Sequence, residues 1–187
     1  MPELLRPVQR GQKTPLGIGQ GAGARLRVAF GWNVTDARCD IDASAFLLGQ
    51  DGRVPSDDWF VFYGQPASPD GAVRFAGGSA EEREEIAIDF GRLDPSIQRI
   101  VFVMTIDEAL DRRLNFGMIR DAWLRVLDGT GREAVSYRPQ ELYENITSMT
   151  LGEIYLRNGE WRFNPVGNGV NTDLAGQCAV YGVTIGD

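Results

Sequence analysis

Apolar and polar residues alternate with period two through much of this chain. Leu26, Val28, Phe30 and Trp32 take every second position in one run, and parts of Trp59 to Tyr63 repeat the pattern, as half-buried strands do. Glu85 to Phe90, Ile100 to Thr105, Ala134 to Tyr137 and Ala179 to Ile185 also read as strands. Asp51-Gly52, Asp70-Gly71 and Asn158-Gly159 are hairpin-turn dipeptides, the last set between Glu153 to Arg157 and Glu160 to Phe163. The count comes to about ten strands, at spacings that suit an all-β, two-sheet β-sandwich. A few short helices are expected, at Asp107 to Arg113, Pro139 to Tyr143 and Asp173 to Cys178. One segment conflicts with the rest: Met118, Ile119, Ala122, Trp123, Val126 and Leu127 recur at helical spacing, so periodicity alone predicts a helix over 117–127.

The stretch from Asp40 to Val54 carries the main chemical question. On a strand, residues two apart share a face, so Asp40, Asp42 and Ser44 point one way and hand over to Phe46 and Leu48. Two like charges on one strand face need solvent or a cation between them.

Composition narrows the choices. The 187 residues carry 19 Lys and Arg against 26 Asp and Glu, a net charge of -7, which argues against a nucleic-acid partner. There is no histidine, which removes imidazole-based triads and histidine metal sites. Cys39 and Cys178 are far apart and read as buried small apolar residues. The first 22 residues are rich in Gly and Pro and read as an extended arm, with one domain over 23–187. Arg10 to Leu16 fails as a phosphate-binding loop because Arg6 stands where the first glycine belongs, and the Gly17 to Gly23 run lacks a preceding strand. No apolar run suits a signal peptide or a membrane span, so the cytoplasm is expected. Asn33-Val34-Thr35 and Asn145-Ile146-Thr147 are then chance matches to a glycosylation acceptor.

Several blocks in order carry a resemblance: Arg10 to Lys13 with Leu16, Gly31-Trp32, Asp40 to Leu48, Asp58 to Tyr63, Gln65 to Gly71 and Ile100 to Ile106. They continue with Asn115 to Gly117, Gly152 to Tyr155, Gly159 to Phe163 and Leu174 to Gly176. Together they resemble the TerD family of tellurium-resistance and stress-response proteins. The resemblance implies a β-sandwich that binds calcium through acidic loops and plays a cytoplasmic, non-enzymatic role. It also implies that 117–127 is a strand, the reading adopted over the helix. Implied partners are other stress-response or tellurium-resistance proteins, one of them membrane-associated, without direct membrane insertion. The implied calcium ligands are Asp40, Asp42, Asn33, Glu82 and Glu84. Two departures bear on the site: Asn33 stands where the family carries Asp, and the loop from Gly77 to Glu85 is shortened, with Arg83 where an Asp is expected.

Calcium takes roughly six to eight oxygens, several of them charged. The competing reading pairs Asp40 and Asp42 with Arg38 or Arg83, leaving Glu81 to Glu85 as a solvated turn. Asn115 could lend an oxygen, or form a turn before Gly117. A carboxylate pair in the manner of glycosidases is disfavoured, because Asp40 and Asp42 lie about 6–7 Å apart on an open strand. A metal-free interaction module of a stress-response complex is the alternative function.

Overall fold

The computed structural model describes residues 1–79 and 81–184. Its strands are β1 (Pro7–Val8), β2 (Thr14–Gly19), β3 (Arg25–Val34), β4 (Ile41–Leu48), β5 (Phe60–Val61), β6 (Val73–Gly77), β7 (Glu84–Asp89) and β8 (Arg99–Ile106). They continue with β9 (Ile119–Asp128), β10 (Glu133–Tyr137), β11 (Ser148–Arg157) and β12 (Glu160–Val170), joined by helices α1 (Ala109–Arg112) and α2 (Leu174–Tyr181) and single 3-10 turns at Asp57–Trp59 and Phe116–Met118. One sheet has the order β1-β10-β9-β3-β7-β6 and the other β2-β12-β11-β8-β4-β5. The expected two-sheet β-sandwich is therefore present. The Gly- and Pro-rich stretch 1–22 contributes β1 to the first sheet and β2 to the second.

The core lies between the sheets. Val28, Phe30, Ile86, Ile88, Leu124 and Val126 meet Ala43, Ala45, Leu47, Phe102 and Met104 there, and the Phe30 and Phe102 rings approach to 5.9 Å. A second cluster covers the outer face of the second sheet, where Phe46, Leu48, Val101 and Val103 pack under α2 and its Cys178. β4 is consequently buried on both faces over Ala43–Leu48, which accounts for its nearly unbroken apolar run. Full burial of a side chain such as Phe46 stabilises the fold by about 2–3 kcal/mol.

Residues 119–128 form β9, in keeping with the family resemblance and against the periodicity. The helical spacing is produced by burial on both faces. Ala122, Leu124 and Val126 face the core, while Trp123 and Leu127 are also buried, at 3% and 6% exposure. Adjacent apolar pairs then mimic the i, i+3, i+4 pattern of a helix.

Two expectations fail. Residues 139–143 form no helix: β10 ends at Tyr137 and the segment runs on without regular structure. Residues 179–184 are not a strand but the end of α2 and its exit, and Ile185 lies outside the described residues. The Asp173 side chain caps that helix by accepting from Gly176 N at 2.9 Å, and Gly182 ends it with φ 84°, so local capping overrides the apolar run. The helices expected near 107–113 and 173–178 are α1 and α2. Among the described residues no helix is long and apolar enough to cross a membrane.

Candidate functional site

Strand pairing decides which carboxylates meet. β4 and β8 run antiparallel with Ile41 opposite Ile106 and Asp42 opposite Thr105, so the start of one strand lies beside the end of the other. The two flanking turns are tied together where Asp107 N donates to the Asp40 carbonyl at 2.7 Å. β7 enters from the other sheet: Glu84 Oε1 accepts from Ala43 N at 2.8 Å, capping a strand-edge donor of β4. Asp40, Asp42, Glu84 and Asp107 thus collect at one end of the sandwich.

The charges in this group are not balanced. Among the described residues none of the four makes an ion pair. Partial burial, then repulsion from Asp40 and Asp107, raises the Asp42 carboxyl from 3.8 to about 6. Burial raises Glu84 from 4.5 to about 7, with the hydrogen bond from Ala43 opposing and repulsion from Asp42 and Asp40 adding. Arg38 is not a partner for these acids. It grips Asp36 instead, with Nη2 at 2.7 Å from Oδ2, and that hydrogen bond holds the Asp36 carboxyl down at about 2. Arg83 points elsewhere too: its Nε donates to the Trp32 carbonyl at 3.3 Å.

The other two expected ligands occupy a separate neighbourhood on the outer face of β3 and β9. Asn33 Nδ2 donates to Asp121 Oδ2 at 3.2 Å, and Arg138 Nη2 reaches Asp121 Oδ1 at 2.6 Å. These contacts hold the Asp121 carboxyl below its ordinary range, the Asn33 bond contributing most. Glu82 is buried. Its Oε2 accepts from Trp123 Nε1 at 2.7 Å, and its other oxygen ion-pairs with Arg125. Arg125 also faces Glu81 at 3.3 Å and Glu133 at 4.0 Å, so one guanidinium serves three carboxylates. Gly31 makes room for this arrangement. A Cβ there would stand 2.0 Å from Trp123 Cε2 and Cζ2, so only a bare backbone lets the indole lie across β3 and reach Glu82. Asn115 is a turn former, its Oδ1 accepting from Gly117 N at 2.9 Å.

The structure therefore brings Asp40, Asp42 and Glu84 together and adds Asp107, which sequence reasoning missed. The signal for it lies in the pairing: Asp107 follows β8 as Asp40 precedes β4, so antiparallel neighbours place both at the same end. Asn33 and Glu82 stand in other contacts. Among the described residues no three Asp, Glu or Cys side chains are grouped closely enough to hold a metal ion as they stand.

Fold and site together define a two-sheet β-sandwich with an uncompensated acidic corner where its sheets meet. The TerD domain profile matches residues 6–181. Tellurium resistance protein TerD of Serratia marcescens is 37% identical over 165 residues, covering 83% of this chain and 86% of its own length. General stress protein 16U of Bacillus subtilis is 31% identical over 187 residues, covering 95% and 97%. The crystal structure of a homologue of telluride resistance protein (TerD) from Streptomyces coelicolor A3(2) shares the fold, with TM-score 0.65 and 21% identity over 82% of this chain and 94% of that one. The chain belongs to the TerD family.

Proposed function

We propose that this protein is a non-enzymatic, cytoplasmic stress-response protein of the tellurium-resistance type that binds calcium through Asp40, Asp42, Glu84 and Asp107. The names of the relatives support the stress-response part. The observation that carries the calcium part is the gathering of Asp40, Asp42, Glu84 and Asp107 at one end of the sandwich with no ion-pair partner among the described residues, in keeping with carboxyls raised to about 6 at Asp42 and about 7 at Glu84. Hard oxygen donors in excess of their counter-charges are what a divalent ion neutralises, with backbone carbonyls and water completing its shell. Bound calcium would draw the four carboxylates inward and favour their ionised forms. Asn33 and Glu82, also implied as ligands by the family resemblance, have neighbours to give up first, Asp121 for one and Arg125 with Trp123 for the other.

Those same engagements favour a second reading, a metal-free interaction module of a stress-response complex, one of whose partners is membrane-associated. Thermal unfolding separates the two. Calcium added to chelator-treated protein is expected to raise Tm in a saturable way, because a ligand preferring the folded state stabilises it by mass action. No shift at millimolar calcium would remove the calcium reading and leave the interaction module.

A further inference from the structure

At the opposite end of β7 from Glu84, the charge balance reverses. A cleft of about 470 Å³ is framed by Arg25, Arg27, Arg74 and Arg92 over a floor that includes Ala87 and Gly129. Four of the chain's 19 basic residues gather there in a protein of net charge -7. With Arg25 opposite Asp89 and Phe30 opposite Glu84, the acidic corner and this cleft lie about 16 Å apart along one strand pair.

The arginines are only partly neutralised. Asp89 divides one charge between Arg25 at 3.5 Å and Arg92 at 3.7 Å. Arg27 is paired with Glu85 at 3.3 Å. Asp128 spends its Oδ1 on its own turn, accepting from Thr130 N, Thr130 Oγ1 and Arg132 N at 2.9, 2.6 and 3.0 Å. Arg74 has no carboxylate within ion-pair distance among the described residues, and its Nε donates to the Gly71 carbonyl at 3.2 Å. Two guanidiniums converge on one point: a Cβ built on Gly71 would lie 3.3 Å from Arg74 Nη2 and 3.8 Å from Arg92 Nη1. Gly71, held at φ 71°, therefore lets two like charges come close over its backbone, where even a methyl would crowd Arg74.

We propose that this cleft binds a small organic phosphate, with the phosphate over Gly71 between Arg74 and Arg92 and an uncharged, flat body resting on Ala87 and Gly129. Paired guanidinium forks match the oxygen geometry of a phosphate and give stronger hydrogen bonds than neutral donors. The small-residue floor admits a ring that larger side chains would exclude. A phosphate would also supply negative charge where four guanidiniums face only Asp89, Asp128 and Glu85.

Isothermal titration in EDTA at low salt tests this, with ADP, pyrophosphate, inorganic phosphate and adenosine as probes. The expected result is saturable ADP binding at least about tenfold tighter than inorganic phosphate, no binding of adenosine, and weakening as salt screens the arginines. Arg74→Ala and Arg92→Ala, both at exposed side chains, should each weaken ADP by about tenfold or more at unchanged Tm. Arg157→Ala, an exposed arginine in the β11–β12 hairpin, should leave it intact. Absence of saturable ADP binding overturns the proposal. So do equal affinities for ADP and inorganic phosphate, equal losses in the Arg157 variant, or wild-type affinity in both cleft variants.

Discussion

Replacing Asp42 by Asn removes a charge that the folded protein accommodates poorly, and the metal-free protein should gain stability from it. The Asp42 carboxyl is raised from 3.8 to about 6 by burial and by its acidic neighbours, which corresponds to ~3 kcal/mol as a ceiling at ~1.4 kcal/mol per tenfold change in proton affinity. The side chain is only partly buried, and solvent screening reduces the expected gain to about 1–2 kcal/mol. The pH dependence has a definite sign. An acid whose folded pKa is raised binds protons more readily in the native state, so stability falls as pH rises from about 4 to about 7. The penalty is largest above pH 7, about half as large at pH 5, and gone near pH 3. Urea unfolding of wild type and Asp42→Asn in EDTA at pH 8, 5 and 3.5 should therefore give a stabilisation that shrinks steadily with acidity. Glu84 should titrate lower in the variant, since Asp42 is among the charges that raise it. In calcium the ranking should invert, with wild type gaining a saturable increment that the variant lacks. A variant less stable than wild type at pH 8, or a gain independent of pH, would refute the account of this corner as uncompensated charge.

Three other outcomes follow from the geometry. Gly31→Ala should cost about 2–4 kcal/mol and alter the near-ultraviolet dichroism, because the new methyl displaces Trp123 from Glu82; an unchanged spectrum would contradict that packing. Arg125→Met should cost about 3–5 kcal/mol at neutral pH by stranding buried Glu82 and Glu133. Urea unfolding measures the loss, and a variant as stable as wild type would contradict the burial of these carboxylates on a single guanidinium. Cys178 is buried and its thiol pushed up to about 11, and burial also raises Cys39. Both should resist a disulfide reagent at pH 8 until the chain unfolds, and rapid labelling of the native protein would show otherwise.

Much of the sandwich could be read directly from alternation. The start of β3 and the Asn158-Gly159 hairpin need nothing beyond period two and turn chemistry, with Asn158 at φ 52° and Gly159 at φ 75°, while β8 is marked by an unbroken apolar run. Where a strand is buried on both faces, the signal degrades. β9 carries a core row and a second row that includes Trp123, so its pattern imitates a helix until partners on both sides are known. The end of α2 failed for a different reason, since Asp173 and Gly182 set local boundaries that an apolar count does not weigh. At the site, acidity was visible but pairing was not. Asp107 and Glu84 reach Asp40 and Asp42 through contacts between β4, β8 and β7, whereas Glu82 lies in the loop before β7, outside the strand alternation that would put it on the face of Glu84, and turns to Trp123 and Arg125 instead. The cleft at Gly71 was legible only as an Asp70-Gly71 turn, because its four arginines come from three separate segments.

The pairing of β1 and β2 has a consequence for the order in which the molecule can assemble. Thr14 pairs with Phe163 and Pro7 with Ser136, so these strands find their partners only about 130–150 residues later in the chain. At a synthesis rate of ~5–20 residues per second, the segment waits roughly 7–30 seconds before the edges it closes exist. Until then β1 and β2 have no partner strand, and their unpaired backbone is able to pair with another chain. The polar, glycine-rich character of residues 9–23 suits a segment that must stay unpaired through that interval and then close both sheets last.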